Sequence, residues 1–292
     1  MTASSATFAL PCGRHAPKSR RQRKGWPGKI SVTAIEPKFG DARSAPALKD
    51  PVLLALLATV VVSLFFLAFP GVDLWFTGLF YDPAHGFAAT GDPALKLLRN
   101  TGDWALDAIV VVLLVALVLK IALPWRRGLI APGTTVFLLA TLLLGPGLVV
   151  NLILKDNWGR PRPADVVAFG GSSPYVDVWQ ISDYCSRNCS FVSGEGSSAI
   201  WLTALAFVVP RAWRLPVLAV TGLWALALSL NRIAFGGHFL SDVLIAWTLT
   251  ALVMALVYRV VFVAPPAWLA GDRLEAGLTR LGYRIRGRTP PA

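Results

Sequence analysis

The chain has 292 residues, of which 55% are hydrophobic and 15% are charged, and its mean hydropathy is +0.58. A soluble globular domain has about 45–50% apolar and 25% charged residues, so this composition excludes an ordinary soluble protein and also a largely disordered chain. The net charge of +12 raises the question of an anionic partner, and three cysteines are too few for a disulfide-built scaffold.

Residues 1–50 are rich in serine, proline, glycine and basic residues and lack apolar periodicity, which predicts a disordered basic tail. Residues 52–69 carry no charge and approach the ~20 residues that span a bilayer. This run starts too far into the chain for a signal peptide and predicts a retained anchor. Residues 71–105 predict an extramembrane excursion with short interfacial helices, for example around residues 95–98.

Further apolar runs follow along the chain. They occupy residues 106–124, 129–153, 197–210, 215–231 and 239–263. The fold class predicted is therefore all-α, a polytopic membrane protein with about six transmembrane helices in one domain, residues 51–263. Residues 264–292 then form a basic cytosolic C-terminal tail.

The distribution of Lys and Arg predicts the orientation. With the N-terminus in the cytosol, 21 basic residues lie inside and 7 outside, whereas 5 acidic residues lie inside and 11 outside. This bias follows the positive-inside rule, so both termini are predicted to be cytosolic. The net charge is thus explained by topology, and a basic segment beside anionic lipid is favoured over nucleic-acid binding by the tail.

Few basic residues remain on the outer side, and three of them occur in specific blocks. In the first block, Lys155 precedes the pair Arg162-Pro163 by seven positions at the end of the third apolar run. An Arg fork and a Lys point charge suit a phosphate, although Lys and Arg also occur at any membrane boundary.

The second block runs through Ser193, Gly194 and Glu195, directly before the fourth run. Small residues opening a helix offer backbone N–H groups to an anion, but they also serve as plain helix caps.

The third block contains Arg232, His238 and Asp242. On one helical face, the Asp242 carboxylate can accept a hydrogen bond from the His238 imidazole and fix its tautomer. Such a histidine is a nucleophile or a base.

Together the three blocks resemble the type 2 phosphatidic acid phosphatase superfamily, whose signatures are Lys-x6-Arg-Pro, Pro-Ser-Gly-His and Ser-Arg-x5-His-x3-Asp. The first block matches in full. In the second, Val192 replaces Pro and Glu195 replaces His; in the third, Asn231 replaces Ser. Residues 70–242 also resemble the lipid A 4′-phosphatase branch, through Trp158-Gly-Arg-Pro-Arg-Pro163 and the acidic residue at the second-block histidine position.

The resemblance implies a periplasmic active site, with His238 attacking phosphorus, Asp242 orienting its ring and water hydrolysing a phosphohistidine. The phosphate-binding residues implied are Lys155, Arg162, Ser193, Gly194 and Arg232. Glu195 stands where the superfamily histidine protonates the leaving group; it is either that acid or a group that orients the sugar hydroxyl or a water. A carboxylic acid acts this way only if protonated near neutral pH.

Cys185 and Cys189 lie in the outer loop, where an oxidising compartment permits a disulfide, with two reduced thiols as the alternative. No metal and no cofactor are predicted. The partner predicted is a membrane lipid, first the 4′-phosphate of lipid A, in a bacterial inner membrane. The alternatives are phosphatase or phosphotransferase action on undecaprenyl diphosphate, phosphatidylglycerophosphate or phosphatidic acid, and a non-catalytic lipid-binding protein.

Overall fold

The structure is a computed structural model that describes residues 50–289. The predicted tail, residues 1–50, lies outside this range apart from Asp50, whose carboxylate caps the first helix by accepting from the Val52 N–H at 2.9 Å. The described residues all belong to one compact unit.

Helices make up most of the described chain. They are α1 (Pro51–Ala68), α2 (Gly71–Gly78), α3 (Pro93–Ala122), α4 (Pro132–Lys155), α5 (Gly194–Trp201), α6 (Arg211–Ala234), α7 (Leu240–Val263) and α8 (Gly271–Ile285). Between residues 50 and 289, strand pairing is limited to two isolated bridges, Asp82 with Gly86 and Val166 with Ser173. The predicted all-α class is confirmed.

Five helices, α1, α3, α4, α6 and α7, are long and apolar enough to cross a membrane. Their outward side chains are apolar and exposed: Val61 is 63%, Val118 62% and Leu223 68% exposed. A surface of this extent and composition is unfavourable in water and suits hydrocarbon. The chain is therefore a multi-pass membrane protein.

The predicted count of about six spans is not confirmed, because the fourth run forms a shorter element. Helix α5 ends at Trp201 and is continued by a 3₁₀ turn, Leu202–Ala204, and a last helical turn, Leu205–Val208. The whole segment rises roughly 22 Å at 1.5 Å per residue, less than the ~30 Å of a hydrocarbon core.

Two segments predicted to lie outside the membrane, residues 95–98 and the C-terminal tail, form or pack against long helices of the bundle. Residues 95–98 form the first turns of α3 rather than a separate interfacial helix, because Asp92 caps α3 through the N–H groups of Ala94 and Leu95. The predicted C-terminal tail contains α8, which packs against α3 and α4. Glu275 of α8 forms an ion pair with Lys120 of α3.

Helix α5 lies at the centre of the bundle, packed against α3, α4, α6 and α7. Its Trp201 is fully buried and donates to the Thr141 hydroxyl of α4 at 2.9 Å, and the Ser197 and Thr250 hydroxyls join α5 to α7 at 2.6 Å. This packing places the N-terminus of α5 beside the ends of α4, α6 and α7.

Candidate active site

The three sequence blocks meet at the N-terminus of α5. The Ser193 N–H donates to the Asp242 backbone carbonyl at 3.1 Å, and Glu195 lies 3.0 Å from the Arg232 Nε. A Cβ at Gly194 would stand 3.3 Å from the Lys155 ammonium nitrogen. The structure therefore brings together residues that are up to 87 positions apart, from Lys155 to Asp242.

The local form of α4 helps to place Lys155. Pro146 has no N–H for the helical ladder, and from Leu143 to Lys155 the helix is π-helical. The Asn151 amide donates to the Pro146 carbonyl at 2.8 Å, which satisfies one acceptor of this widened stretch. A π-helical stretch often lies at a functional site, and here it ends on Lys155.

Gly194 is a position of close approach. A Cβ there would overlap the Asn151 side-chain oxygen and contact Lys155. Only glycine lets α4 and α5 come this close without displacing these two polar groups.

Gly194→Ala is expected to lower kcat/KM by about 10²-fold, because a shift of Lys155 by even 1 Å misplaces a group at the reacting centre. The measurement is phosphate release from a lipid phosphate monoester. Gly222→Ala is the matched control, since a Cβ at Gly222 of α6 meets nothing within 4 Å. Equal losses in both variants would contradict the close-approach explanation.

His238 is buried, with 1% of its surface exposed, and lies in the loop between α6 and α7. Its Nδ1 lies 2.8 Å from the Ser190 backbone carbonyl. A carbonyl only accepts, so Nδ1 carries the proton and Nε2 of the neutral ring keeps its lone pair. This is the tautomer that an Nε2 nucleophile requires.

The predicted hydrogen bond between Asp242 and His238 is absent: the Asp242 Oδ2 lies 4.0 Å from Nδ1. His238 precedes α7 and is not helical, so four-residue helical spacing does not apply to the pair. The Asp242 Oδ2 accepts instead from the Phe239 N–H at 2.8 Å and the Ser190 hydroxyl at 2.5 Å. Asp242 thus acts on His238 through Ser190.

The pKa of His238 is well below the ordinary value of 6.5. Burial is the main cause, and the positive charges of Arg232, Lys155 and Arg162 add to it, whereas the bond to the Ser190 carbonyl opposes it. All three predicted cations therefore act on this ring. The ring stays neutral, and so nucleophilic, into the acidic range.

We expect the His238 ring of the free enzyme to remain neutral below pH 6.5. The unfolded chain takes up this proton at a higher pH than the folded chain, so acidification below 6.5 also favours unfolding. NMR titration of ¹³Cε1-labelled histidine checks this, with His238→Gln assigning the signal. A titration midpoint at or above 6.5 would contradict it.

A buried arginine missed by the sequence reasoning supports Asp242. Arg160 is fully buried, and its five N–H groups donate to five acceptors. These are Val176 O at 2.8 Å, Ser241 Oγ at 2.9 Å, Asp242 Oδ1 at 2.6 Å, Asp73 Oδ2 at 3.0 Å and the Tyr175 hydroxyl at 3.0 Å. Burial opposes its charge, but Asp242 and Asp73 raise the pKa of Arg160 overall.

A signal for this network was present in the sequence. Asp73 is the one charged residue in the otherwise uncharged α2, and Arg160 falls within the first block. A charged group in such a setting is paired when buried.

Arg162 is held by the loop that carries Cys185 and Cys189. Its Nε and Nη2 both donate to the Asn188 carbonyl, at 3.1 and 2.8 Å. Cys185 and Cys189 are joined by a disulfide, so residue 188 lies inside a closed five-residue ring of chain. The disulfide restrains the carbonyl that orients Arg162.

Glu195 contacts two arginines, one of which the sequence reasoning did not select. Arg99 of α3 donates to both carboxylate oxygens, from Nε at 3.1 Å and from Nη2 at 2.8 Å. Arg99, Lys155 and Glu195 line a cleft of about 170 Å³, whose wall continues into the apolar side chains of Leu106 and Leu228.

Comparison with known proteins gives concordant results. Residues 134–265 match the PAP2 superfamily. The lipid A 4′-phosphatase of Rhizobium leguminosarum is 35% identical over 204 residues, 65% of this chain and 87% of that protein. The lipid A 4′-phosphatase of Francisella tularensis subsp. novicida is 34% identical over 219 residues, 71% of this chain and 96% of that protein.

Among solved structures, a transmembrane PAP2 type phosphatidylglycerolphosphate phosphatase from Bacillus subtilis aligns with a TM-score of 0.45 and 18% identity, over 71% of this chain and 94% of that one. The sequence relatives are enzymes, which sets aside the non-catalytic alternative. The superfamily match, residues 134–265, contains all three blocks, and the relatives' identity agrees with it. The chain therefore belongs to the PAP2 superfamily and is a membrane lipid phosphatase, a phosphoric monoester hydrolase.

Proposed function

We propose that this phosphatase removes the 4′-phosphate of lipid A at the periplasmic face of the bacterial inner membrane, with His238 as nucleophile. The observation that carries the reaction is the His238 ring. Its Nδ1 lies 2.8 Å from the Ser190 carbonyl, and burial and three nearby cations lower its pKa and keep it neutral. The substrate is supported by the names of the relatives at 34–35% identity.

In the first step, the Nε2 lone pair of His238 attacks phosphorus and the bond from phosphorus to the sugar oxygen breaks. That oxygen leaves with the bonding electrons and takes a proton from water. In the second step, a water oxygen attacks phosphorus, the bond from phosphorus to Nε2 breaks and its electron pair returns to Nε2. The proton of the attacking water neutralises the hydroxide left by the first step, so the products are inorganic phosphate and the neutral ring. Dividing the reaction in this way replaces one difficult displacement with two easier ones.

The phosphoryl oxygens are held by charge and by backbone donors. Lys155, Arg162 and Arg232 supply positive charge, and Ser193 and the Gly194 N–H supply neutral donors at the start of α5. Phosphoryl transfer needs positioning and charge neutralisation above all. The ring becomes cationic when Nε2 is phosphorylated, and Asp242, 4.0 Å from Nδ1, stabilises it.

The topology proposed has six crossings, with the Gly194–Val208 segment as a short fourth one and both termini in the cytosol. Arg259, at the end of α7, pairs with Asp50 at the start of α1 at 3.1 Å, which supports a common side for these two ends. Asp242 lies near the opposite end of α7 from Arg259, and His238 lies in the loop just before it. Together with the segment count, this supports a site on the periplasmic side.

Mass spectrometry of lipid A from cells with and without the gene tests the substrate. Loss of one phosphate from the distal sugar is expected only with the active gene, and cells carrying His238→Ala serve as control. An unchanged lipid A profile would overturn the substrate and direct the assay to undecaprenyl diphosphate, phosphatidylglycerophosphate and phosphatidic acid. Transfer of labelled phosphate to a second lipid would overturn hydrolysis in favour of a phosphotransferase.

A further inference from the structure

Glu195 is held as a hydrogen-bond acceptor. Both of its oxygens accept from Arg99, in the bidentate geometry that arginine forms with a carboxylate. The contacts aim the carboxylate at arginine side chains, which fits a group that orients a cation.

Arg232 is the residue on which this carboxylate acts. Its side chain is buried, with 7% exposed, and its Nε lies 3.0 Å from the Glu195 Oε2. Although this ion pair is short, the Nε N–H makes no hydrogen bond within the described part of the chain. Arg232 is therefore held near the carboxylate by charge at close range rather than by an aligned hydrogen bond.

The other side of Arg232 is confined by backbone. A Cβ at Gly237 would stand 2.6 Å from the Arg232 Nη2, so the guanidinium lies directly against the loop that leads to His238. Its charge lowers the pKa of His238. Arg232 thus lies between Glu195 and the nucleophile, in a position that depends on both neighbours.

We propose that Arg99 is a positioning residue. Its two hydrogen bonds orient the Glu195 carboxylate, and this carboxylate in turn holds Arg232 at the phosphate site beside His238. This inference rests on the proposed function. The bidentate contact joins α3 to α5, so the orientation of the α5 N-terminus depends on a residue 96 positions earlier in the chain. Glu195 in this role orients an arginine rather than transferring a proton.

Binding of inorganic phosphate to the full-length detergent-solubilised protein, measured by ³¹P NMR, tests this proposal. Arg99→Ala is expected to weaken phosphate binding about tenfold. Arg99→Lys is expected to fall between it and wild type, because Lys keeps the charge but not the fork. Lys96→Ala is the matched control, an exposed basic residue one turn earlier in α3, and it should bind phosphate as wild type does.

The decisive comparison is the Arg99→Ala change in a Glu195→Ala background. If Arg99 acts only through Glu195, the double variant binds phosphate as the Glu195→Ala variant does. A further tenfold loss in the double variant would show direct contact between Arg99 and phosphate and would overturn the positioning role. Unchanged phosphate binding by Arg99→Ala alone would overturn it as well.

The same variants separate positioning from general folding. Arg99→Ala should also lower kcat for phosphate release, while its melting temperature stays within the range of Lys96→Ala; a parallel fall in melting temperature would indicate a structural role instead. Binding of inorganic phosphate does not depend on which lipid is the substrate. If the phosphate-binding results are as expected but lipid A keeps its phosphate in cells, only the proposed substrate is overturned.

Discussion

His238→Ala is expected to lower kcat/KM for phosphate release by roughly 10³-fold or more, which corresponds to about 4 kcal/mol of transition-state stabilisation. Alanine removes the only group whose lone pair is presented in the proposed first step. Removal of the buried ring leaves a cavity, but the three cations and the N-terminus of α5, which bind the phosphate, remain in place. Phosphate release from purified protein, measured under single-turnover conditions, gives the size of the effect.

Two observations accompany this variant. Inorganic phosphate should still bind to His238→Ala, because the cations are unchanged, and His85→Ala, an exposed histidine paired with Asp82, should retain full turnover. An acid-labile phosphoprotein should be trapped in the wild type and lost in His238→Ala. Turnover by His238→Ala close to that of wild type would eliminate the phosphohistidine route.

Arg160→Met is expected to lower the free energy of unfolding by about 3–5 kcal/mol, the usual cost of breaking a buried ion pair. Methionine leaves the carboxylates of Asp73 and Asp242 buried without their cation; the two side chains are fully buried, 3.0 and 2.6 Å from the guanidinium. The loss is measured by reversible unfolding in mixed detergent micelles. Activity should fall too, because a displaced Asp242 carboxylate would no longer orient Ser190, whose carbonyl contacts His238.

A milder change keeps this prediction testable if Arg160→Met does not fold. Tyr175→Phe removes one acceptor and leaves a single Arg160 N–H without a partner, at an expected cost of about 1–3 kcal/mol. Arg187→Met, at an exposed arginine in the loop between Cys185 and Cys189, controls for the loss of positive charge. The buried network would lose its assigned importance if Arg160→Met and Arg187→Met had the same stability.

Much of this site was predictable because its signals are local. Lys155 with Arg162, Ser193 with Gly194, and Arg232 with His238 are short spacings that one helix end or one loop determines, and the structure places all of them at the start of α5. The predicted direct hydrogen bond from His238 to Asp242 is replaced by a 4.0 Å contact. The predicted contact requires both residues to be helical, but His238 lies before the helix, and the Asp242 carboxylate accepts from the Ser190 hydroxyl instead.

The sequence by itself determined the membrane class and the three blocks, because bilayer thickness sets the length of an apolar run and phosphate chemistry requires particular residues at close spacing. Only the tertiary structure decided that the fourth segment is short, that Arg160 pairs with Asp73 across 87 positions, and that Arg99 binds Glu195 across 96 positions. These contacts depend on how helices pack against one another, and the periodicity of one helix carries no information about which side chain of a distant helix will face it.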